Sequence, residues 1–407
     1  MEIHPDFSLA FVEFDDQGML WSLDEIDLLD RTLAAEARRA AGGGVGIIAF
    51  AHGWKHDARV CDESVACFRT VLAQAAAETA EVARFAGSPP LRIVGVYLGW
   101  RGRSVTAPLV SPLSFWARKR AAERIGAGEL VGVLSHLDRF VRRESEEGRF
   151  AGLIVIGHSF GGTMVYTALS NVLKARMVDA YEQRGRVPVA ENVVRGFGNL
   201  VVLVNPAVEA SAFATLHELV NAIGSFSPRQ TPILVVVGSE SDFPNRVWFP
   251  LGRKLDMLTQ HAGPRSARAL LTTAIGSYDP FMTHRLEAIA APGAEAPERH
   301  VDDCICRLPI GALPAEETRR LAECLPSRRL DETRACGEGA APCAAGLALG
   351  GARLTCLPGT APTTPIWSVR ATDEVVHGHS VFFTRPFGYF LRWVILDGFS
   401  RAAKPAG

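Results

Sequence analysis

From Val45 to Val237 the chain alternates short, near-continuous apolar runs with longer stretches of helical spacing. The runs are Val45–Ala51, Leu91–Leu98, Leu153–Ile156, Leu200–Val204 and Ile233–Val237. A strand that reads apolar along its whole length is buried on both faces, and the element that buries both faces of a sheet is a helix layer on each side. The intervening stretches supply those helices: Asp62–Phe85, Phe115–Ile125, Leu130–Arg143, Gly161–Val178 and Ala210–Ala222. Ahead of them, Phe7–Phe14 is read as an edge strand closed by the turn Asp15-Asp16-Gln17-Gly18, and Leu23–Ala40 as a helix stopped by Gly42-Gly43-Gly44. The pattern predicts an α/β protein with a mostly parallel central sheet and helices on both faces.

The alternation lapses after residue 242 and resumes at Ile366–Ala371, a last strand, followed by a closing amphipathic helix at Pro386–Leu396. Residues 1–242 and 365–407 are therefore read as one core, and 243–364 as an insertion in it. Within the insertion, Ser266–Ala274 and Glu316–Cys324 have helical spacing, and Gly337–Pro362 is rich in Gly, Ala and Pro. Six of the eight cysteines crowd into 304–356: Cys304, Cys306, Cys324, Cys336, Cys343 and Cys356. No Cys-x-x-Cys pair is present, so a zinc site is not expected, and disulfide staples compete with free thiols as their state.

With 43 basic and 44 acidic side chains the net charge is −1, which disfavours nucleic acid or an anionic membrane as partner. No apolar stretch approaches the ~20 residues of a membrane span. The start, Met1-Glu2-Ile3-His4-Pro5-Asp6, has no basic segment leading into an apolar one, so a cytoplasmic location is expected.

Chemistry enters at Gly157-His158-Ser159-Phe160-Gly161, directly after the run Leu153–Ile156 and at the mouth of a helix. This is G-x-S-x-G in the strand–turn–helix setting of a nucleophile elbow. Gly157 and Gly161 are required because side chains there would collide in so sharp a turn. Ser159 is lifted clear of the sheet at a helix N-terminus, whose dipole favours developing negative charge. A tetrahedral oxyanion needs two donors. The expected ones are the N–H of Phe160 and the N–H of Trp54, on the loop His52-Gly53-Trp54 after Val45–Ala51. Core packing is the alternative role for Trp54.

These residues carry a resemblance. Phe50-Ala51-His52-Gly53-Trp54-Lys55-His56, Val96-Tyr97-Leu98-Gly99-Trp100-Arg101-Gly102, Gly157–Gly162 and Asn205-Pro206-Ala207 resemble the α/β-hydrolases, and among them lipase- and esterase-like serine hydrolases. The resemblance covers 45–243 and 365–400. It implies the α/β-hydrolase fold and the chain order nucleophile, acid, histidine, with no cofactor and no metal. The acid is then sought in Gly238-Ser239-Glu240-Ser241-Asp242, where Asp242 is preferred and Glu240 is the runner-up. The histidine is sought in Asp373-Glu374-Val375-Val376-His377-Gly378-His379, where His379 is preferred to His377. His158, His56 and His284 are read as structural or exposed, and Arg101 as a loop-organising cation or a contact for a substrate carboxylate.

The implied activity is hydrolysis of a small-molecule or lipid carboxylic ester through an acyl-enzyme. Thioesterase and amidase chemistry would use the same residues, and a catalytically silent binding protein is the rival from another class. Export without a visible signal is a further reading, supported by the cysteines alone. Asp242 and His379 stand 137 positions apart, where connections in α/β units run about 2–6 residues. The insertion is therefore read as a lid, with Phe243, Trp248, Phe249, Tyr278 and Phe281 lining an apolar cleft, or else as a flanking structural unit.

Overall fold

A computed structural model describes residues 1–40, 42–102, 111–257, 263, 268–289, 346–349, 351–361, 363–379 and 384–402. The strands are β1 (Glu2–Ile3), β2 (Phe7–Phe14), β3 (Val45–Ala51), β4 (Arg92–Trp100), β5 (Ala151–His158), β6 (Leu200–Val204), β7 (Leu234–Ser239), β8 (His284–Ala288), β9 (Leu347–Leu349), β10 (Ala352–Cys356) and β11 (Ile366–Ala371). The helices are α1 (Asp24–Arg39), α2 (Glu63–Ala86), α3 (Ser111–Ala127), α4 (Leu130–Glu146), α5 (Phe160–Gln183), α6 (Ala210–Ile223), α7 (Phe249–Asp256), α8 (Arg268–Thr272) and α9 (Arg385–Ala402).

All described strands join one mixed sheet in the order β1-β2-β4-β3-β5-β6-β7-β11-β8-β10-β9. From β2 to β8 every neighbouring pair is parallel. Antiparallel pairs close both margins.

Side chains alternate faces along a strand, and β3 divides accordingly. Val45, Ile47, Ala49 and Ala51 enter a core shared with α1, α3, α4, α5 and α6. Ile48 and Phe50 face the opposite core, built with α2 and α9. The helix ends follow from their residues. Asp62 caps α2 by accepting from the Ser64 N–H, and Gly87 ends it in left-handed backbone at φ 63°. Asp24, Glu25 and Asp27 open α1 while Arg38 and Arg39 close it, each sign matched to the helix dipole.

Three expectations change. Phe7–Phe14 is not an edge strand, because β1 pairs antiparallel on its outer side. A two-residue strand is too short to leave a periodic signal. The insertion is also not separate from the sheet: β8 pairs parallel with β11, and β10 and β9 continue from it. The sheet thus runs across both boundaries drawn from the sequence. Phe249 and Phe281 do not line an open cleft but are buried in the core, whereas Phe243 and Trp248 are 57% and 37% exposed. The expected helix at Glu316–Cys324 lies outside the described residues. Among the described residues no helix is long and apolar enough to cross a membrane.

Cys67 and Cys356 are each in a disulfide, and Cys61 is free and exposed. Cys304, Cys306, Cys324, Cys336 and Cys343 lie outside the described residues.

Candidate active site

The parallel strands end on one edge of the sheet, and the singled-out residues gather there. Ser159 directly follows β5 with φ 52° and ψ −116°, a strained backbone for a residue with a side chain. Its N–H donates to the Val204 carbonyl at the end of β6 (2.9 Å). Three glycines allow the turn. A Cβ on Gly161 would lie 2.0 Å from the Ala51 carbonyl oxygen, and one on Gly157 would lie 2.7 Å from the Gly161 carbonyl oxygen. A Cβ on Gly53 would come within 3.0 Å of the Ser159 Cβ, so the loop after β3 lies directly against the serine.

Ser159 Oγ lies 2.6 Å from His379 Nε2, and His379 Nδ1 lies 2.7 Å from Asp242 Oδ1. A carboxylate only accepts, so the Nδ1–H points at Asp242 and Nε2 is left to accept from the serine hydroxyl. Asp242 is held in turn by Asn245, on a π-helical turn (Pro244–Trp248) that follows the acid. The Asn245 N–H donates to Oδ1 (3.0 Å) and its Nδ2 to Oδ2 (2.7 Å). Ser159 and Asp242 are each 1% exposed, whereas the His379 side chain retains 11%. The imidazole is the open member of the three.

The runners-up stand elsewhere. Glu240 faces Arg285 Nη1 at 3.5 Å, on the far side of its loop. His377 bonds Asp373 through Nδ1 at 2.9 Å, with half its side chain exposed.

The expected oxyanion donors are both near the serine. Phe160 is the first residue of α5, where an N–H has no carbonyl within its helix to bond. Trp54 follows Gly53 on the loop packed against Ser159. Its ring also meets Phe115 edge-on at 5.7 Å, and Phe115 meets Phe160 at 4.8 Å. The ring packing read as the alternative role for Trp54 is thus present. The next residue, Lys55, takes left-handed backbone at φ 72°, and its N–H donates to the Gly102 carbonyl (3.0 Å).

His52 anchors the same loop from below. The Trp100 N–H donates to its Nε2 (3.2 Å), and its own Nδ1 donates to the Gly53 carbonyl (2.9 Å). Complete burial pushes its pKa down to about 4. His56 pairs with Asp62 at 3.0 Å. His284 is buried beside Trp367, with its pKa pushed down to about 3 by desolvation. Arg101 stands exposed beyond β4, its carbonyl accepting from Arg118 at 2.9 Å. Among the described residues no three His, Cys, Asp or Glu side chains cluster as metal ligands would.

The sequence marked Asn205 only as part of a resembling segment and gave the supports no role. Asn205 follows β6 in left-handed backbone at φ 46°, a conformation asparagine tolerates better than most residues. Its Oδ1 accepts from the Ser239 N–H (2.8 Å), and its carbonyl accepts from Asn245 Nδ2 (2.9 Å). Its Nδ2 donates toward the carbonyls of Gly378 and His379, both at 3.2 Å. Ser241 accepts from the Gly378 N–H at 2.7 Å. A further signal was a polar residue immediately after a buried strand.

Compared with protein-family models, curated proteins and solved structures, the chain gives no match.

Proposed function

We propose that the protein is a serine hydrolase of carboxylic esters, built on an α/β-hydrolase-type fold and working through an acyl-enzyme. The observation that carries the proposal is the continuous bond path from Ser159 Oγ through His379 to Asp242, 2.6 Å and 2.7 Å long, starting from a serine in strained backbone. The order of the three along the chain and their place at the C-terminal edge of a parallel sheet support it.

In the proposed reaction the Ser159 hydroxyl passes its proton to His379 Nε2 as Oγ bonds to the ester carbonyl carbon. The carbonyl oxygen becomes an oxyanion facing the N–H groups of Phe160 and Trp54. Asp242 stabilises the imidazolium, which then protonates the departing alkoxide as the C–O bond breaks. Water repeats the sequence on the acyl-enzyme, with His379 again as base, and releases the acid and free Ser159. No step calls for a metal or organic cofactor.

The test is hydrolysis of p-nitrophenyl esters of graded acyl length by the wild type and by Ser159→Ala, with fluorophosphonate labelling alongside. The expected result is labelled wild-type protein with esterase activity, both lost in the variant. Equal hydrolysis by the variant, or a wild type that neither hydrolyses nor labels, would overturn the proposal.

A further inference from the structure

The last residue of β5 is a histidine that touches neither Ser159 Oγ nor Asp242 through any bond described above. His158 is 4% exposed, and its Nε2 lies 2.8 Å from the backbone carbonyl oxygen of His379. A carbonyl only accepts, so His158 donates from Nε2. The same oxygen takes Asn205 Nδ2 at 3.2 Å, which fills both of its lone pairs. The preceding residue, Gly378, is in left-handed backbone at φ 64°, and its N–H is held by Ser241. Side chains from the ends of β5, β6 and β7, three neighbouring strands, thus converge on the backbone of Gly378 and His379.

His158 also sits between two functional loops. Its ring centroid is 5.5 Å from that of His379. On the other side, its Nδ1 lies 2.8 Å from where a Gly53 Cβ would stand. Among the described residues the His379 ring hydrogen-bonds to Asp242 and Ser159, and the Ser159 bond is broken during each turnover. A fixed backbone beneath the ring is what returns Nε2 to the same reach after each cycle.

We infer that His158 is a positioning residue for His379, its Nε2–H holding the His379 carbonyl so that the imidazole reaches Ser159. The inference rests on the reading of Ser159 and His379 as nucleophile and base. Burial and the neighbouring His379 hold the His158 pKa well below its usual value, so it acts as a neutral donor. A misplacement of about 1 Å at a reacting group costs up to about 100-fold in rate.

The test compares His158→Gln, His158→Asn and His158→Leu with the wild type and Ser159→Ala. Gln carries an amide nitrogen at nearly the reach of Nε2. Asn stops short of the His379 carbonyl, and Leu has no donor. The expected result is kcat within about threefold of wild type for Gln and about 10- to 100-fold lower for Asn and Leu, with KM little changed. Gln and Asn are both polar amides, so their ratio still reads the bond if Leu fails to fold. Fluorophosphonate labelling rates should follow the same order. Asn as fast as wild type, or Gln as slow as Asn, overturns the inference. If Ser159→Ala is inert while every His158 variant equals wild type, only this inference fails. If Ser159→Ala equals wild type, the proposed function fails and takes the inference with it.

Discussion

Asp242→Asn should inactivate the protein without unfolding it, for a reason that can be worked from its three donors. The carboxylate accepts at Oδ1 from His379 Nδ1 (2.7 Å) and the Asn245 N–H (3.0 Å), and at Oδ2 from Asn245 Nδ2 (2.7 Å). An amide offers one oxygen and one NH2. With its oxygen at the Oδ1 position, the NH2 confronts Asn245 Nδ2, donor against donor. Flipped, the NH2 confronts both His379 and the Asn245 N–H. His379 relieves that clash by moving its proton to Nε2, which then donates to Ser159 Oγ and can no longer act as base.

The imidazolium also loses its counter-charge. Wrong-tautomer substitutions of this kind lower kcat about 10⁴-fold, which is about 5 kcal/mol of barrier. KM should stay within a few-fold, since Asp242 is buried beneath the imidazole. The assay is p-nitrophenyl ester hydrolysis at saturating substrate, with labelled sites counted by fluorophosphonate. Glu240→Gln and His377→Gln serve as controls and should retain kcat within about twofold, because their partners are Arg285 and Asp373. An Asp242→Asn protein within tenfold of wild type would refute the assignment of the acid, as would a Glu240→Gln protein that is inert.

Three further outcomes follow from buried groups. His52 and His284 titrate at about 4 and about 3 in the fold, against 6.5 when unfolded. Below 6.5 the unfolded chain binds the extra protons, so the stability they contribute is complete above pH 6.5 and lost as pH falls toward 4 and 3. Each shift corresponds to about 3 kcal/mol or more, and thermal melting midpoints should drop steadily from pH 7 to pH 4.5; a level profile would contradict this. Gly161→Ala places a Cβ 2.0 Å from the Ala51 carbonyl oxygen, and should cost about 3 kcal/mol in denaturant melts. Gly132→Ala, at an exposed position of α4 with nothing within 4 Å, should instead gain up to about 1 kcal/mol; equal effects would mean the elbow is not tight. Glu78 on α2 and Arg392 on α9 form an ion pair 3.0 Å apart with side chains 4% and 3% exposed. Glu78→Ala should destabilise by about 3 kcal/mol or more, because it leaves a buried guanidinium without its carboxylate; an unchanged denaturation midpoint would contradict this.

What could be read from the sequence was set by burial. Val45–Ala51, Leu200–Val204 and Ile366–Ala371 became strands with those very limits, because strands buried on both faces leave continuous Val/Ile/Leu runs. β8 and β10 escaped notice. Arg285 and Glu287 alternate with buried His284 and Leu286, and Arg353 alternates with Ala352 and Leu354, a half-buried pattern only five residues long. Ser159 was legible from a local pattern, since an elbow is built by its own neighbours. The supporting bonds of His158, Asn205 and Asn245 were not. The bonds of His158 and Asn205 reach carbonyls in the His379 loop, 221 and 173 positions along the chain. Those of Asn245 and Asn205 to each other depend on where β6 and β7 end side by side.

That adjacency also accounts for why Asp242, the proposed acid, follows β7. Strands lie about 4.8 Å apart, and β6 alone separates β5 from β7. One imidazole, with a bond of 2.6 Å on one side and 2.7 Å on the other, bridges that gap when a serine and an aspartate lean in from the two strand ends. The bridge needs the end of β6 to stay beneath it. Asn205 meets this need by turning into left-handed backbone and sending its amide up to the Gly378 and His379 carbonyls. A β-branched residue there would strain that backbone and lose those amide bonds. Glu240, only one residue beyond the end of β7, leaves its loop toward Arg285 instead. Two more residues of chain turn Asp242 back under the imidazole, and Asn245 locks it there.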